Sequence, residues 1–88
     1  MAAPEVLIYL TNWCPYCSRA RALLDAKGVS YTTVDVDSVP GKRDEMIARS
    51  GRRTVPQIYV GDHHVGGCDD LYELDRTGGL EPLLRPGP

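Results

Sequence analysis

Glu5-Val-Leu-Ile-Tyr-Leu10, followed by Thr11-Asn12-Trp13 and then Cys14-Pro15-Tyr16-Cys17, is the stretch that decides the fold. Apart from Glu5 its first six residues are apolar and partly aromatic, the pattern of a short strand buried on both faces. Thr11 to Trp13 interrupt it. Pro15 then stands where proline is tolerated, in the first turn of a helix, whose N–H groups have no intrahelical partner. From there Cys17, Ala20, Leu23 and Leu24 recur at helical spacing, Arg19, Arg21 and Asp25 are left to face water, and Gly28 is a natural stop. A strand feeding a helix through a Cys-x-x-Cys is therefore the nucleus of the reading.

Working outward, Tyr31 to Val36 is rich in β-branched residues and predicts a second strand, parallel to the first through a strand–helix–strand crossover. A polar helix follows over Lys42 to Arg49, burying Met46 and Ile47 and ended by Ser50-Gly51. Gln57 to Val60 and His63 to Val65 flank Gly61-Asp62, a two-residue hairpin turn. Gly66-Gly67 opens a helix over Asp69 to Arg76, with Leu71 and Leu74 inward and Gly78-Gly79 closing it. Pro82, Pro86 and Pro88 predict a short helical turn and a frayed tail over 85–88. The order β-α-β-α-β-β-α predicts an α/β fold: a four-stranded mixed sheet flanked by helices.

The chain has 88 residues, room for one domain spanning 1–88 and no second core. With 42% hydrophobic and 25% charged residues it has the balance of a soluble globular protein, which excludes a disordered tail or a disulfide-dense scaffold. No apolar run approaches the roughly 20 residues of a membrane helix. Net charge is −2, so no basic field recommends a nucleic-acid or anionic-lipid partner. The start Met1-Ala-Ala-Pro-Glu-Val lacks the basic and apolar segments of a secretory signal, and the expected home is a reducing cytoplasm.

Three cysteines cannot all pair within one chain. A Cys-x-x-Cys beside a strand–helix–strand pattern points to redox chemistry or a metal. Cys14 falls at the helix start, where free backbone N–H groups and the helix dipole stabilise an anion such as a thiolate. That makes Cys14 the nucleophile. Cys17, one turn on and directed into the helix, is suited to attack a mixed disulfide once Cys14 has formed one. Tyr16 offers a flat face beside the reactive sulfur. The competing readings are two packing cysteines or half of a zinc site. A closed zinc site needs four ligands, and Cys68, His63 and His64 supply no second paired motif. His63 and His64 are expected to be exposed strand residues without a chemical role.

Two further constellations are weaker alone. In Arg52-Arg53-Thr54-Val55-Pro56, a Val-Pro bond can adopt the cis form, and Val55 can present its backbone as a strand-like edge to an extended peptide. The alternative is an ordinary loop-to-strand turn. In Gly66-Gly67-Cys68-Asp69-Asp70, the glycines admit close backbone approach and the helix start offers N–H groups to a carboxylate. Asp69 can accept from an ammonium group, so the pair suits an α-amino acid end; the alternative is a plain acidic helix cap. Cys68 is either a small packing residue or a regulatory thiol.

Cys-Pro-Tyr-Cys at 14–17, Thr-Val-Pro at 54–56 and Gly-Gly-Cys-Asp-Asp-Leu at 66–71, in this order, resemble a dithiol glutaredoxin of the short bacterial type, from Val6 to Leu84. The resemblance implies a thioredoxin fold, a cis peptide at Pro56, glutathione as reductant and no resident metal. It implies Cys14 as nucleophile, Cys17 as resolving thiol, Tyr16 lining the groove, Val55 holding the cysteinyl part of glutathione, and Gly67, Cys68 and Asp69 its γ-glutamyl end. The family often carries a Lys or Arg three residues before the nucleophile; here Thr11 stands there, leaving the glycyl carboxylate to Arg52 or Arg53. Implied partners are glutathione and glutathionylated or disulfide-containing proteins, with ribonucleotide reductase one of those that fit the site; nothing in the sequence demands more than a monomer. An alternative within the family is a dimer holding a [2Fe–2S] cluster; Pro15 argues against it, since cluster binders more often carry a small residue there. Trp13 departs from the small or polar residue common before the first cysteine, and either shapes a protein-binding surface or shelters the thiolate.

Overall fold

The structure, a computed structural model, describes residues 4–85. Its elements run β1 (Val6–Leu10), α1 (Pro15–Ala26), β2 (Thr32–Asp35), α2 (Lys42–Ser50), β3 (Gln57–Val60), β4 (His63–Gly66), α3 (Cys68–Arg76) and α4 (Leu80–Leu84). The strands form one mixed sheet in the order β2-β1-β3-β4. β2 is parallel to β1, while β3 is antiparallel to both β1 and β4. This is the predicted topology, with α4 as the short terminal turn.

Central strands are covered on both sides, which is why their sequences are apolar without alternation. Side chains alternate across a strand. Val6, Ile8 and Leu10 of β1, with Ile58 and Val60 of β3, meet Cys17, Ala20 and Leu24 of α1, Leu71 of α3, and Leu80 and Leu84 of α4. On the opposite face Tyr9 and Tyr59 meet Val36 and Met46, with Ile47 partly buried beside them. Each fully buried aliphatic side chain contributes about 1.5–3 kcal/mol. The larger cluster therefore fixes α1 against the sheet, and with it the position of Cys14.

Several boundaries shift. β2 is shorter than Tyr31 to Val36 because it lies at the sheet edge, paired only with β1, although the Val36 N–H still donates to the Leu10 carbonyl at 2.9 Å. α3 begins at Cys68 rather than Asp69, since Gly67 already acts as its cap. Gly61 opens the β3–β4 turn at φ +60°. Of the tail expected to fray, Arg85 is tied down: it donates to the Lys27 carbonyl and pairs with Glu81 at 2.6 Å. Residues 86–88 lie outside the described residues. No helix among the described residues is long and apolar enough to cross a membrane.

Candidate active site

Cys14 is the N-cap of α1, in extended conformation, with Pro15 at the first helical position. Its Sγ accepts a hydrogen bond from the Cys17 N–H at 3.3 Å. This is the sulfur counterpart of a Ser or Asp cap: an otherwise unpartnered amide of the first turn is satisfied. Cys14 is half-buried, whereas Cys17 is 2% exposed and lies in the larger core; both thiols are free. Burial, and then the neighbouring Cys14 sulfur, push the Cys17 thiol up to about 12. Cys17 is thus held protonated while Cys14 faces the outside.

The Val55–Pro56 peptide is cis, as the sequence suggested, and brings the Val55 carbonyl oxygen within 4.0 Å of the Cys14 Sγ. This loop is braced from below. Gln57, fully buried, donates through Nε2 to the Thr54 carbonyl at 2.9 Å and to Thr54 Oγ1 at 3.3 Å. Both amide hydrogens are therefore used, and Gln57 Oε1 accepts from His64 Nε2 at 2.7 Å, which makes Nε2 the protonated nitrogen of that ring. His64 also stacks on Tyr59, centroids 4.8 Å apart. The expectation that both histidines are exposed is corrected for His64: β4 register sets it opposite Tyr59, half-buried, and burial lowers its affinity for a second proton. His63 is exposed as expected.

A groove of about 300 Å³ runs beside the cysteine, lined by Tyr16, Arg52, Thr54, Val55, Pro56, Gly67, Cys68, Asp69 and Asp70. It unites all three sequence constellations. Arg53 does not line it; its carbonyl accepts from Arg43 Nη1 at 3.3 Å instead. Cys68 is buried, and burial raises its thiol pKa, as suits a packing residue. Asp69 is exposed at the start of α3.

Asp70 was not singled out from the sequence, yet it ties the groove's two walls together. Its Oδ2 accepts from Arg52 Nη1 at 2.8 Å and from the Gly67 N–H at 2.9 Å. The guanidinium first, and then the Gly67 amide, hold its carboxyl below the usual range. Gly66, at φ +116°, turns the chain so tightly that a Cβ there would stand 2.8 Å from Asp70 Cγ. The signal available in the sequence was an acidic residue at the third helical position, which satisfies the cap amide. Among the described residues no group of three or more His, Cys, Asp or Glu side chains is placed to hold a metal ion.

Comparison with known proteins gives a consistent result. Residues 6–65 match the family model described as Glutaredoxin. The chain is 59% identical over 81 residues to Glutaredoxin 3 of Escherichia coli K12, covering 92% of this chain and 98% of that one. The solution structure of glutaredoxin from Brucella melitensis superimposes with a TM-score of 0.86 at 49% identity, covering all of this chain and 96% of that one. The crystal structure of a buckwheat glutaredoxin–glutathione complex gives 0.85 at 34% identity, covering 92% and 76%.

Proposed function

The chain belongs to the glutaredoxin family and is a thiol–disulfide oxidoreductase, and from that premise we propose that it reduces glutathione mixed disulfides and protein disulfides with glutathione as the electron source. The observation that carries this reading is the Cys14 Sγ, held at the helix start by the Cys17 amide and opening beside a groove walled by Val55 and α3. The groove matches a small peptide with an anionic end and a zwitterionic end. Val55 and Thr54, before the cis Pro56, offer backbone groups to the cysteinyl residue in strand fashion. Gly67, Cys68 and Asp69 at the start of α3 offer amides and a carboxylate to the γ-glutamyl end. Arg52 offers a guanidinium to the glycyl carboxylate, and Tyr16 a wall.

In the proposed cycle the Cys14 thiolate attacks the glutathione sulfur of a mixed disulfide. A bond forms between Cys14 and glutathione, the old S–S bond breaks, and the substrate sulfur leaves as a thiolate that takes up a proton. A second glutathione thiolate attacks the bound glutathione sulfur, releasing glutathione disulfide and restoring Cys14. On a protein disulfide, Cys14 forms the mixed disulfide with the protein. Cys17 then gives up its proton and attacks the Cys14 sulfur, leaving a Cys14–Cys17 disulfide and a protein dithiol. Two electrons have passed to the substrate, and two glutathiones return them to the enzyme. The protonated, buried Cys17 stays out of the first step. The enzyme acts as a monomer in the cytoplasm, with ribonucleotide reductase among the candidate protein substrates.

The test is glutathione-dependent turnover of a small glutathione mixed disulfide by the wild type and by Cys17→Ser. Retention of most of the activity in the variant is expected, because Cys14 alone carries that cycle. Inactivity of both with glutathione, alongside wild-type turnover driven by a thioredoxin reductase, would overturn the glutathione groove. The cluster-holding alternative predicts visible absorbance after anaerobic purification, and none is expected.

A further inference from the structure

Trp13 precedes the nucleophile and is the chain's one tryptophan. It is 88% exposed, the most exposed large hydrophobic side chain among the described residues. It does not line the groove that holds Tyr16 and Val55. An indole so open shelters nothing, which removes one of the two sequence readings. Its apolar face is unburied in the folded chain, so a partner that covers it gains what that burial contributes. Its Cα is about 3.8 Å from that of Cys14, so a polypeptide whose cysteine reacts at the Cys14 sulfur brings its flanking residues within reach of the ring.

We infer that Trp13 is a docking residue for the polypeptide part of the substrate and takes no part in holding glutathione. This rests on the reading of the groove as the glutathione site. With glutathione in the groove during attack on a glutathionylated protein, the leaving cysteine and its flanking chain lie outside the groove. Asn12, Trp13 and Pro15, which flank Cys14 in the chain, are all exposed and do not line the groove. The occupant is thus a polypeptide segment carrying the reacting cysteine, whose flanking side chains cover the indole face. Small thiols leaving from the same glutathione half would not reach it.

The test compares wild type, Trp13→Phe and Trp13→Ala on two substrates sharing the glutathione half: glutathionylated serum albumin and the cysteamine–glutathione mixed disulfide. Trp13→Ala is expected to lower kcat/KM on albumin about tenfold, or 1.4 kcal/mol. That corresponds to covering about 55 Å² of apolar surface, well under half of an indole. The cysteamine substrate should change by less than about twofold, and Trp13→Phe should fall between. Equal losses on both substrates, or no loss on albumin, would overturn the inference. A second readout uses the lone tryptophan: in Cys17→Ser, a tryptophan-free peptide trapped at Cys14 should move the emission to shorter wavelength, and trapped glutathione should not. Equal shifts, or none with the peptide, would count against it. A wild type inactive on cysteamine–glutathione would refute the groove reading, while the peptide fluorescence would still decide the role of Trp13.

Discussion

Replacing Arg52 and Arg53 one at a time separates two adjacent cations that the sequence leaves equivalent. Arg52 lines the groove and reaches Asp70 at 2.8 Å; Arg53 does not line it. A hydrogen bond from a charged donor to a carboxylate contributes about 1.5–3 kcal/mol when shielded. The Arg52 and Asp70 side chains are 48% and 46% exposed, so solvent screening brings the figure toward ~1 kcal/mol. Asp70 compensates part of the same cation, which lowers it no further than the same range. Arg52→Ala is therefore expected to lower kcat/KM for glutathione about fivefold, with kcat at saturating glutathione little changed. Arg53→Ala should cost less than about twofold. The assay is steady-state turnover at varied glutathione, at low and at high salt, because an exposed charge contact weakens as salt rises. Asp70→Asn sharpens the test: the amide oxygen can still accept from Gly67, but the opposing charge is gone and Arg52 is freed. Its kcat/KM should match or exceed the wild type. Equal losses from the two arginine variants, a loss confined to kcat, or an Asp70→Asn defect as large as that of Arg52→Ala would refute the assignment of Arg52 to the glycyl carboxylate.

Two further expectations concern the buried groups. Cys17 keeps its proton in the folded chain up to about 12, against 9.0 for an unperturbed cysteine. Folding thus gains proton affinity, so this contribution to stability is intact below pH 9 and is lost progressively as pH rises from there toward 12, at up to about 1.4 kcal/mol per pH unit. Urea midpoints measured between pH 8.5 and 10.5 should fall more steeply for the wild type than for Cys17→Ala, and parallel slopes would contradict the burial argument. Gln57→Leu removes the partner of the Thr54 carbonyl and of the half-buried His64 Nε2–H, at a cost of about 1 kcal/mol. Urea unfolding of this variant should show that loss, and an unchanged midpoint would mean that Gln57 is not the brace of the loop.

What the sequence made legible was local. The apolar run of β1, Pro15 at the first helical position, the Gly61 turn and the periodic faces of α1 and α3 each follow from a few neighbouring residues, and together they leave few topologies. The three motifs were legible as chemistry because each sits at an element boundary, where backbone groups are unpaired. The pairings that join them were not legible. Arg52 and Asp70 are 18 positions apart, and Gln57 and His64 are seven apart across a hairpin whose pairing is irregular between Ile58 and Tyr59. No periodicity encodes such a partner, because it depends on where two walls come to rest.

His64 shows the reason in one residue. By alternation it belongs to a face of β4, but whether that face meets water depends on Tyr59, whose ring covers it, and on Arg49, whose guanidinium lies 3.9 Å from the other residue of that stack. Burial of a polar side chain in this layer is offset because Gln57 Oε1 accepts a hydrogen bond from His64, while the Gln57 amide hydrogens are taken up by Thr54. The loop that presents Val55 to Cys14 is thus fixed by a chain of obligatory hydrogen bonds starting on the far side of the hairpin. The helix alone sets Cys14 at its N-terminal end; this second layer is what sets the Val55 wall of the groove beside it.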